Sequence, residues 1–306
     1  MRAPDESEII RMFQKKLRTG PREDVETFEL GGIKMAASTD TLVFETDVPP
    51  GMSARDAAAK GVTACVSDFA AKGVRPKYGI MSVSLPGGTT SRRIGQMASG
   101  VGQACSKYGI RMLGGDTNEG ESSITVCLFG RADRIVPRSG ANSGDAVFVT
   151  GPFGYAAAGL DALMRGGKKF ARYVVSPEAR LEFGVKCSRY ASASMDSSDG
   201  LAATLHEIAR QSKKRINVSK IPVKGDLVRY AESRRINPDR LVFYGGEEYE
   251  IVFAAPPRHR RAIMSGAGRL GVPVIEIGTV VPGSGVYLER DGKLGALADG
   301  GWRHLR

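Results

Sequence analysis

Histidine, cysteine and tryptophan are scarce in this chain, and each scarcity excludes a chemistry. There are three histidines, four cysteines and one tryptophan among 306 residues. His206, His259 and His304 each stand beside charged residues, and none pairs with a serine or cysteine motif. They are expected at the surface, and no nucleophilic triad is expected. Cys65, Cys105, Cys127 and Cys187 never approach CxxC spacing, which excludes a zinc cluster and reads as reduced core packing. No apolar run reaches the roughly 18–20 residues of a membrane span, and MRAPDESEIIRMFQKK lacks the apolar core of a signal peptide. A cytoplasmic protein without membrane contact is expected. No GxxxxGK[ST] is present, so the chain is not a P-loop enzyme. Gly266, Gly268 and Gly271 spell GxGxxG, but a basic helical stretch precedes them where a dinucleotide fold needs a strand.

The net charge is +11, from 44 Lys+Arg against 33 Asp+Glu. The basic residues are scattered in short groups, and aromatics at 7% form no RNA-binding pattern. A solvated basic surface that attracts anionic small molecules is expected, and no nucleic-acid partner. With 42% hydrophobic and 25% charged residues the chain is globular, long enough for two domains of roughly 100–200 residues.

Hydrophobic spacing predicts mixed α/β structure. A helix is expected over 5–18, with Ile9, Ile10, Phe13 and Leu17 on one side, followed by strands at Ile33–Ala37 and Leu42–Val48. Ser53 and Asp56 form a capping-box pair for a helix to Lys72 that stops at Gly73. Strands at 78–85, 110–113 and 123–131 and a helix at 90–108 complete the first half. The polar, turn-rich ADRIVPRSGANSGD at 132–145 marks a join. Beyond it come a strand at 146–150, a small-residue helix after Gly154, helices at about 178–192 and 200–212, and strands at 241–243, 249–254, 274–281 and 286–289.

Against this background the acids stand out. Asp24, Asp40, Asp68, Asp116, Asp196 and Asp199 lie in REDVE, STDTLV, VSDFAAKG, LGGDTNEG and MDSSDGL. Carboxylates gathered without cations repel one another, and hard divalent cations with oxygen ligands relieve that repulsion. If these aspartates converge, they predict magnesium-dependent phosphoryl transfer. Asp68 shares a helix face with Gly61, Ala64 and Cys65, so its carboxylate either points at something other than bulk water or merely ends the helix in solvent. Asp116 follows two glycines, which suit either a close phosphate or a plain turn. In MDSSDGL, Ser198 or Asp199 could cap the next helix, or that helix N-terminus could face phosphate. GGEEYEIVF sets Glu247, Glu248 and Glu250 beside an apolar strand, where an outward glutamate is the plain account.

STDTLV, VSDFAAKGVRPKY, LGGDT, RSGANSGD, MDSSDGL, GGEEYEIVF and the terminal GGW together resemble the thiamine-monophosphate kinase family. The resemblance runs in order from about Asp24 to Trp302. It implies the two-domain α/β (α+β) fold of the aminoimidazole-ribonucleotide synthetase superfamily (PurM-like), with domains at 1–137 and 138–306. The first half would form an intersubunit β-barrel in a homodimer, and the second an α/β domain. Asp24, Ser38, Thr39, Asp40, Asp68 and Asp116, with Asp196 and Asp199, fall where that family binds several Mg²⁺ ions. Gly115, Asp116, Arg138 and Ser198 fall where it contacts ATP, and Glu247 and Trp302 where it contacts thiamine monophosphate. Two departures stand out. The family's Gly-Asp-Asp is Arg22-Glu23-Asp24 here, and a substrate-contacting histidine is replaced by Asp47.

The chemistry fits the missing histidines. A phosphate monoester acceptor has its second pKa near ~6 and is already a nucleophile at neutral pH. No protein nucleophile or base is expected, and direct in-line transfer needs positioning and charge neutralisation. The alternative is another ATP-dependent member of the superfamily acting on a purine precursor. A selenophosphate synthetase is set apart by its need for an early Cys or selenocysteine, since the first cysteine here is Cys65.

Overall fold

The computed structural model of the chain describes residues 4–302, so His304 lies outside the described residues. The first half runs α1 (Glu6–Leu17), β1 (Glu26–Leu30), β2 (Ile33–Val43), α2 (Phe44–Asp47), α3 (Ala54–Lys72), β3 (Tyr78–Leu85), α4 (Ser91–Tyr108), β4 (Arg111–Glu119) and β5 (Ser123–Arg131). Asp5 and Glu8 close a reciprocal capping box on α1. Ser53 caps α3 by accepting from the Asp56 N–H, while the Asp56 carboxylate returns to the Ser53 hydroxyl. Gly73, at φ 72, ends that helix.

Three expected strands are redrawn. The stretch divided into 33–37 and 42–48 is one strand through Val43, and Phe44–Asp47 turns into a short helix. Asp47 explains the turn, because its carboxylate accepts from the Val43 N–H at 2.7 Å and the Thr46 hydroxyl at 2.8 Å. The strand expected to stop at Leu113 continues through Gly114, Gly115 and Asp116 to Glu119, pairing parallel to β3.

The five strands lie in the order β1-β2-β5-β3-β4. Alternation along β5 sends Ile124, Val126 and Leu128 inward beneath α3 and α4. The other face carries Phe28, Ile33, Tyr78 and Ile80, all exposed.

The second half runs β6 (Ala146–Val149), α5 (Tyr155–Met164), α6 (Arg172–Val175), α7 (Leu181–Cys187), β7 (Ala193–Asp196), α8 (Leu201–Ser212), β8 (Arg215–Val218), α9 (Gly225–Arg234), α10 (Pro238–Tyr244), β9 (Ile251–Ala255), α11 (Arg260–Leu270), β10 (Ile275–Val281), β11 (Gly285–Arg290) and β12 (Lys293–Ala296). Its seven-stranded mixed sheet is ordered β12-β11-β8-β10-β6-β9-β7. Residues 241–243, expected as a strand, belong to helix α10, which Asn237 caps and Pro238 starts. The helix expected at 178–192 is only the seven residues of α7 with a 3-10 turn after it. Gly266 and Gly268 lie on α11 and Gly271 ends it at φ 64, so GxGxxG binds nothing here as a strand–helix turn.

Mixed α/β halves are thus borne out, and one core runs across both while a second lies within the second half alone. Val62, Phe69 and Val126 of the first half cluster with Phe148, Phe183 and Phe253 of the second. α3 is the joint. Gly184 of α7 meets it so closely that a Cβ there would stand 1.9 Å from the Ala70 carbonyl oxygen. β7 ends its sheet yet is buried along its whole length, and Lys72 at the end of α3 donates to the Ser194 carbonyl at 2.8 Å.

Candidate active site

The packing of α3 against β7 decides where the acids meet. Small residues on α3 let it approach, and Gly61, Ala64 and Asp68 face a cleft of about 870 Å³ between the halves. Asp24 enters from the segment before β1, and Asp196 from the end of β7. One carboxylate oxygen from each of Asp24, Asp68 and Asp196 lies within 4.8 Å of the others. The Ser38 hydroxyl on β2 donates to Asp68 at 2.6 Å, and the Ser67 hydroxyl on α3 donates to Asp196 at 2.8 Å. Asp40, two residues after Ser38 on the same strand face, also lines the cleft.

The three acids are not electrically alike. Burial, then the neighbouring Asp196, Asp24 and Asp40, pushes the Asp68 carboxyl well above the usual range. Burial and Asp24 raise Asp196 to about 7. Burial works against ionisation of Asp24 too, but the Lys72 and Arg138 charges outweigh it and hold that carboxyl below its usual value. Lys72 Nζ stands 2.7 Å from Asp24 Oδ2 and Arg138 Nε 2.9 Å from Oδ1. Crowded oxygen donors that resist full ionisation, with hydroxyls as the donors to Asp68 and Asp196, fit a hard divalent cation such as Mg²⁺.

The loop 197–200 closes this side. Ser198 and Asp199 line the cleft and neither caps α8, whose N-cap is Gly200 without a side-chain bond. Two neighbouring segments grip the loop through its carbonyls. The Glu247 N–H donates to Ser198 at 2.6 Å and the Trp302 N–H to Asp199 at 2.9 Å. Glycine is required at both contacts, because a Cβ on Gly246 would lie 2.7 Å from the Ser198 oxygen and one on Gly301 2.3 Å from the Asp199 oxygen.

The three glutamates of GGEEYE divide their work. Glu248 is buried and accepts from the Gly154 and Ala156 N–H groups at 2.7 and 3.0 Å, serving the open N-terminus of α5. Glu250 is buried against Arg180 and the Thr150 hydroxyl. Glu247 alone of the three faces the cleft, and it pairs with Lys60.

The structure therefore brings Asp24, Ser38, Asp40, Asp47, Asp68, Arg138, Asp196, Ser198, Asp199, Glu247 and Trp302 to one cleft. Thr39 reaches its rim, but its register opposite Cys127 turns the side chain to the other sheet face. Gly115 and Asp116 are not brought there. Asp116 aligns across Ser82 and Thr125 with Thr41, on the exposed face. That is three strand spacings, about 14 Å, from β2. Gly115 has a local reason to be glycine, since a Cβ would fall 1.8 Å from the Met81 carbonyl oxygen. Arg138, expected at ATP, is buried and committed to Asp24. His206 and His259, expected at the surface, are half-buried, with His206 Nε2 2.9 Å from the Leu297 carbonyl.

Sequence reasoning missed Lys60 and Lys72. The available signal was a lysine at each position among small and apolar residues of a helix that is buried along most of its length.

The family models for AIR synthase related protein match the chain twice, the N-terminal domain over residues 23–132 and the C-terminal domain over 142–291. Thiamine-monophosphate kinase of Nitrosopumilus maritimus is 50% identical over 310 residues, covering 99% of both chains. A solved structure described as AaThiL complexed with AMPPCP and TMP superposes with a TM-score of 0.88 at 30% identity, covering 100% of this chain and 99% of that one. Thiamine monophosphate kinase from Aquifex aeolicus superposes with a TM-score of 0.83 at 29% identity, over 94% of this chain and 97% of that one. On its motifs, its cleft and these full-length likenesses, the chain belongs to the thiamine-monophosphate kinase family, assembled from the two AIR synthase related domains.

Proposed function

We propose that the protein transfers the γ-phosphoryl group of ATP to the phosphate of thiamine monophosphate, yielding ADP and thiamine diphosphate. The observation that carries this reading is the convergence of Asp24, Asp68 and Asp196 within 4.8 Å at one wall of a cleft whose other wall holds Glu247 and Trp302. The bond from the γ-phosphorus to the leaving oxygen of ADP breaks as a bond to the acceptor phosphate oxygen forms. That oxygen is ionised at neutral pH, so no protein base takes a proton.

Asp24, Ser38, Asp40, Asp68, Asp196 and Asp199 would hold Mg²⁺, with Thr39 contributing from the rim. Bound there, the ions would neutralise phosphate charge that the carboxylates alone repel. The chain's own residues supply the rest. Ser38 and Ser67 fix the carboxylates of Asp68 and Asp196, and Arg138 with Lys72 fixes Asp24. Ser198, which lines the cleft at the N-terminal side of α8, would meet nucleotide phosphate. Trp302, 54% exposed, offers a ring face for the substrate heterocycles. Domains at 1–137 and 138–306 meet along this cleft.

A homodimer completes the reading. The exposed apolar face of the first sheet would join that of a second copy in one barrel, closing the edges that β1 and β4 leave open. Asp116 lies on that face, with Gly115 beside it on the same strand, and in the dimer they would serve the partner's nucleotide and metal site.

ADP release measured with thiamine monophosphate and, separately, with a purine-precursor ribonucleotide tests the assignment. Turnover with thiamine monophosphate alone is expected. Turnover only with the purine precursor would move the chain to the sister activity.

A further inference from the structure

Lys60 is a cation sealed inside the cleft wall. Its side chain is 1% exposed, yet it lines the cleft with Gly61. Nζ donates to the Asp47 carbonyl at 3.0 Å and forms an ion pair with Glu247. Glu247 itself adopts φ 64, a left-handed conformation that costs a residue with a Cβ and persists only where its surroundings hold it. Its N–H is tied to Ser198 in the acid loop. A single ammonium thus links the 43–49 segment of the first half to Glu247 and, through it, to the loop bearing Asp199.

Position along α3 says which end of the substrate this is. Eight residues separate Lys60 from Asp68, about 12 Å at the helical rise. Phosphates drawn to the acids leave Lys60 beside the organic end of the acceptor. Asp47 contributes its carbonyl to this arrangement, its carboxylate being turned back to Val43 and Thr46. We infer that Lys60 is a positioning residue for the acceptor, locking the Glu247 carboxylate and the 43–49 segment in place against the substrate heterocycle. This rests on the substrate assignment above.

The test is a double-mutant cycle between Lys60→Met and Glu247→Gln, read as KM for thiamine monophosphate and separately for ATP. Wild-type turnover of thiamine monophosphate is measured first, so a wrong substrate assignment shows itself independently of Lys60. Each single variant is expected to raise KM for thiamine monophosphate about tenfold or more, as for loss of a charged hydrogen bond, with KM for ATP changed less than about twofold. The double variant is expected to be no worse than the worse single one, because Lys60 acts through Glu247. Additive losses, or an equal rise in KM for ATP, overturn the inference. Lys60→Gln, shorter and polar, is made alongside. If neither Lys60 variant keeps the wild-type thermal transition, equilibrium binding of thiamine monophosphate to Glu247→Gln decides. A loss of about tenfold supports the role and unchanged affinity overturns it.

Discussion

Lys72 Nζ lies 2.7 Å from Asp24 Oδ2, and neither side chain exposes any surface to solvent. The same ammonium reaches Glu23 at 2.6 Å, and Arg138 grips the other oxygen of Asp24. Asp24 is therefore an acid already compensated by the protein, unlike Asp68 and Asp196. Lys72→Met should leave Asp24 and Glu23 without that charge and lower stability by about 3–5 kcal/mol, the range for breaking a buried pair. Chemical denaturation measures it directly, and a loss below 1 kcal/mol would show the pair to be energetically idle.

Asp68→Asn should abolish ADP release while the protein stays folded. Removing one of three mutually repelling carboxylates should also raise the melting temperature in the absence of metal. Saturating Mg²⁺ should raise the melting temperature of the wild type through preferential binding to the folded state, and raise that of the variant much less. Near-normal turnover of Asp68→Asn at high Mg²⁺ would falsify the metal role of this residue.

Glu248 gives a pH dependence whose sign can be worked out. Burial raises its carboxyl from an ordinary 4.5 to about 8, against the backbone donors of α5. Between those values the folded chain holds a proton that the unfolded chain has released, so stability falls as pH rises from 4.5 to 8. The loss is on the order of 4 kcal/mol if Glu248 acts alone. Asp196, raised to about 7, adds in the same direction. Glu248→Gln should flatten the profile in metal-free buffer, and an unchanged slope would remove Glu248 from the account.

Trp302→Ala should weaken thiamine monophosphate more than ATP. Ring stacking is worth about 0.5–1.5 kcal/mol beyond burial, which corresponds to about two- to twelvefold in affinity. Titration calorimetry with each ligand separates the two effects, and equal losses would remove Trp302 from the acceptor site.

If the proposed homodimer forms through the exposed sheet face, Ile80→Lys should leave the protein monomeric in sedimentation and remove turnover with it. Mixing Asp68→Asn with Asp116→Asn offers a complementary reading. If Asp116 serves the partner's cleft, refolded mixtures of two inactive variants should regain about a quarter of wild-type activity, from one intact site per mixed dimer. No recovery would return Asp116 to its own subunit.

The strongest periodic signals were legible. α1, α3, β3, α4 and β5 lie where spacing and caps put them. The failures have local causes. Leu42–Val48 reads as a strand because nothing in its pattern reveals that the Asp47 carboxylate will bend back to the Val43 N–H. Residues 241–243 are apolar enough for a buried strand, and what makes them helical is the Asn237-Pro238 start that precedes them. The site shows the same division. Aspartates in motifs announced themselves, whereas Lys60 and Lys72 depend on contacts across the sequence to Glu247 and Asp24. Asp116 could not be placed from the chain alone, since its relation to the others passes through strand order.

The close seating of Gly184 on the Ala70 carbonyl reaches beyond packing. A molecule whose two halves touch backbone to backbone, and share one of their cores, has no hinge between them. Heating should melt it in one calorimetric transition, and the first half should not be obtainable as a folded fragment. Ligand exchange then falls to the short segments at the cleft mouth, while its walls behave as a single rigid gauge whose width was settled when the interior was assembled.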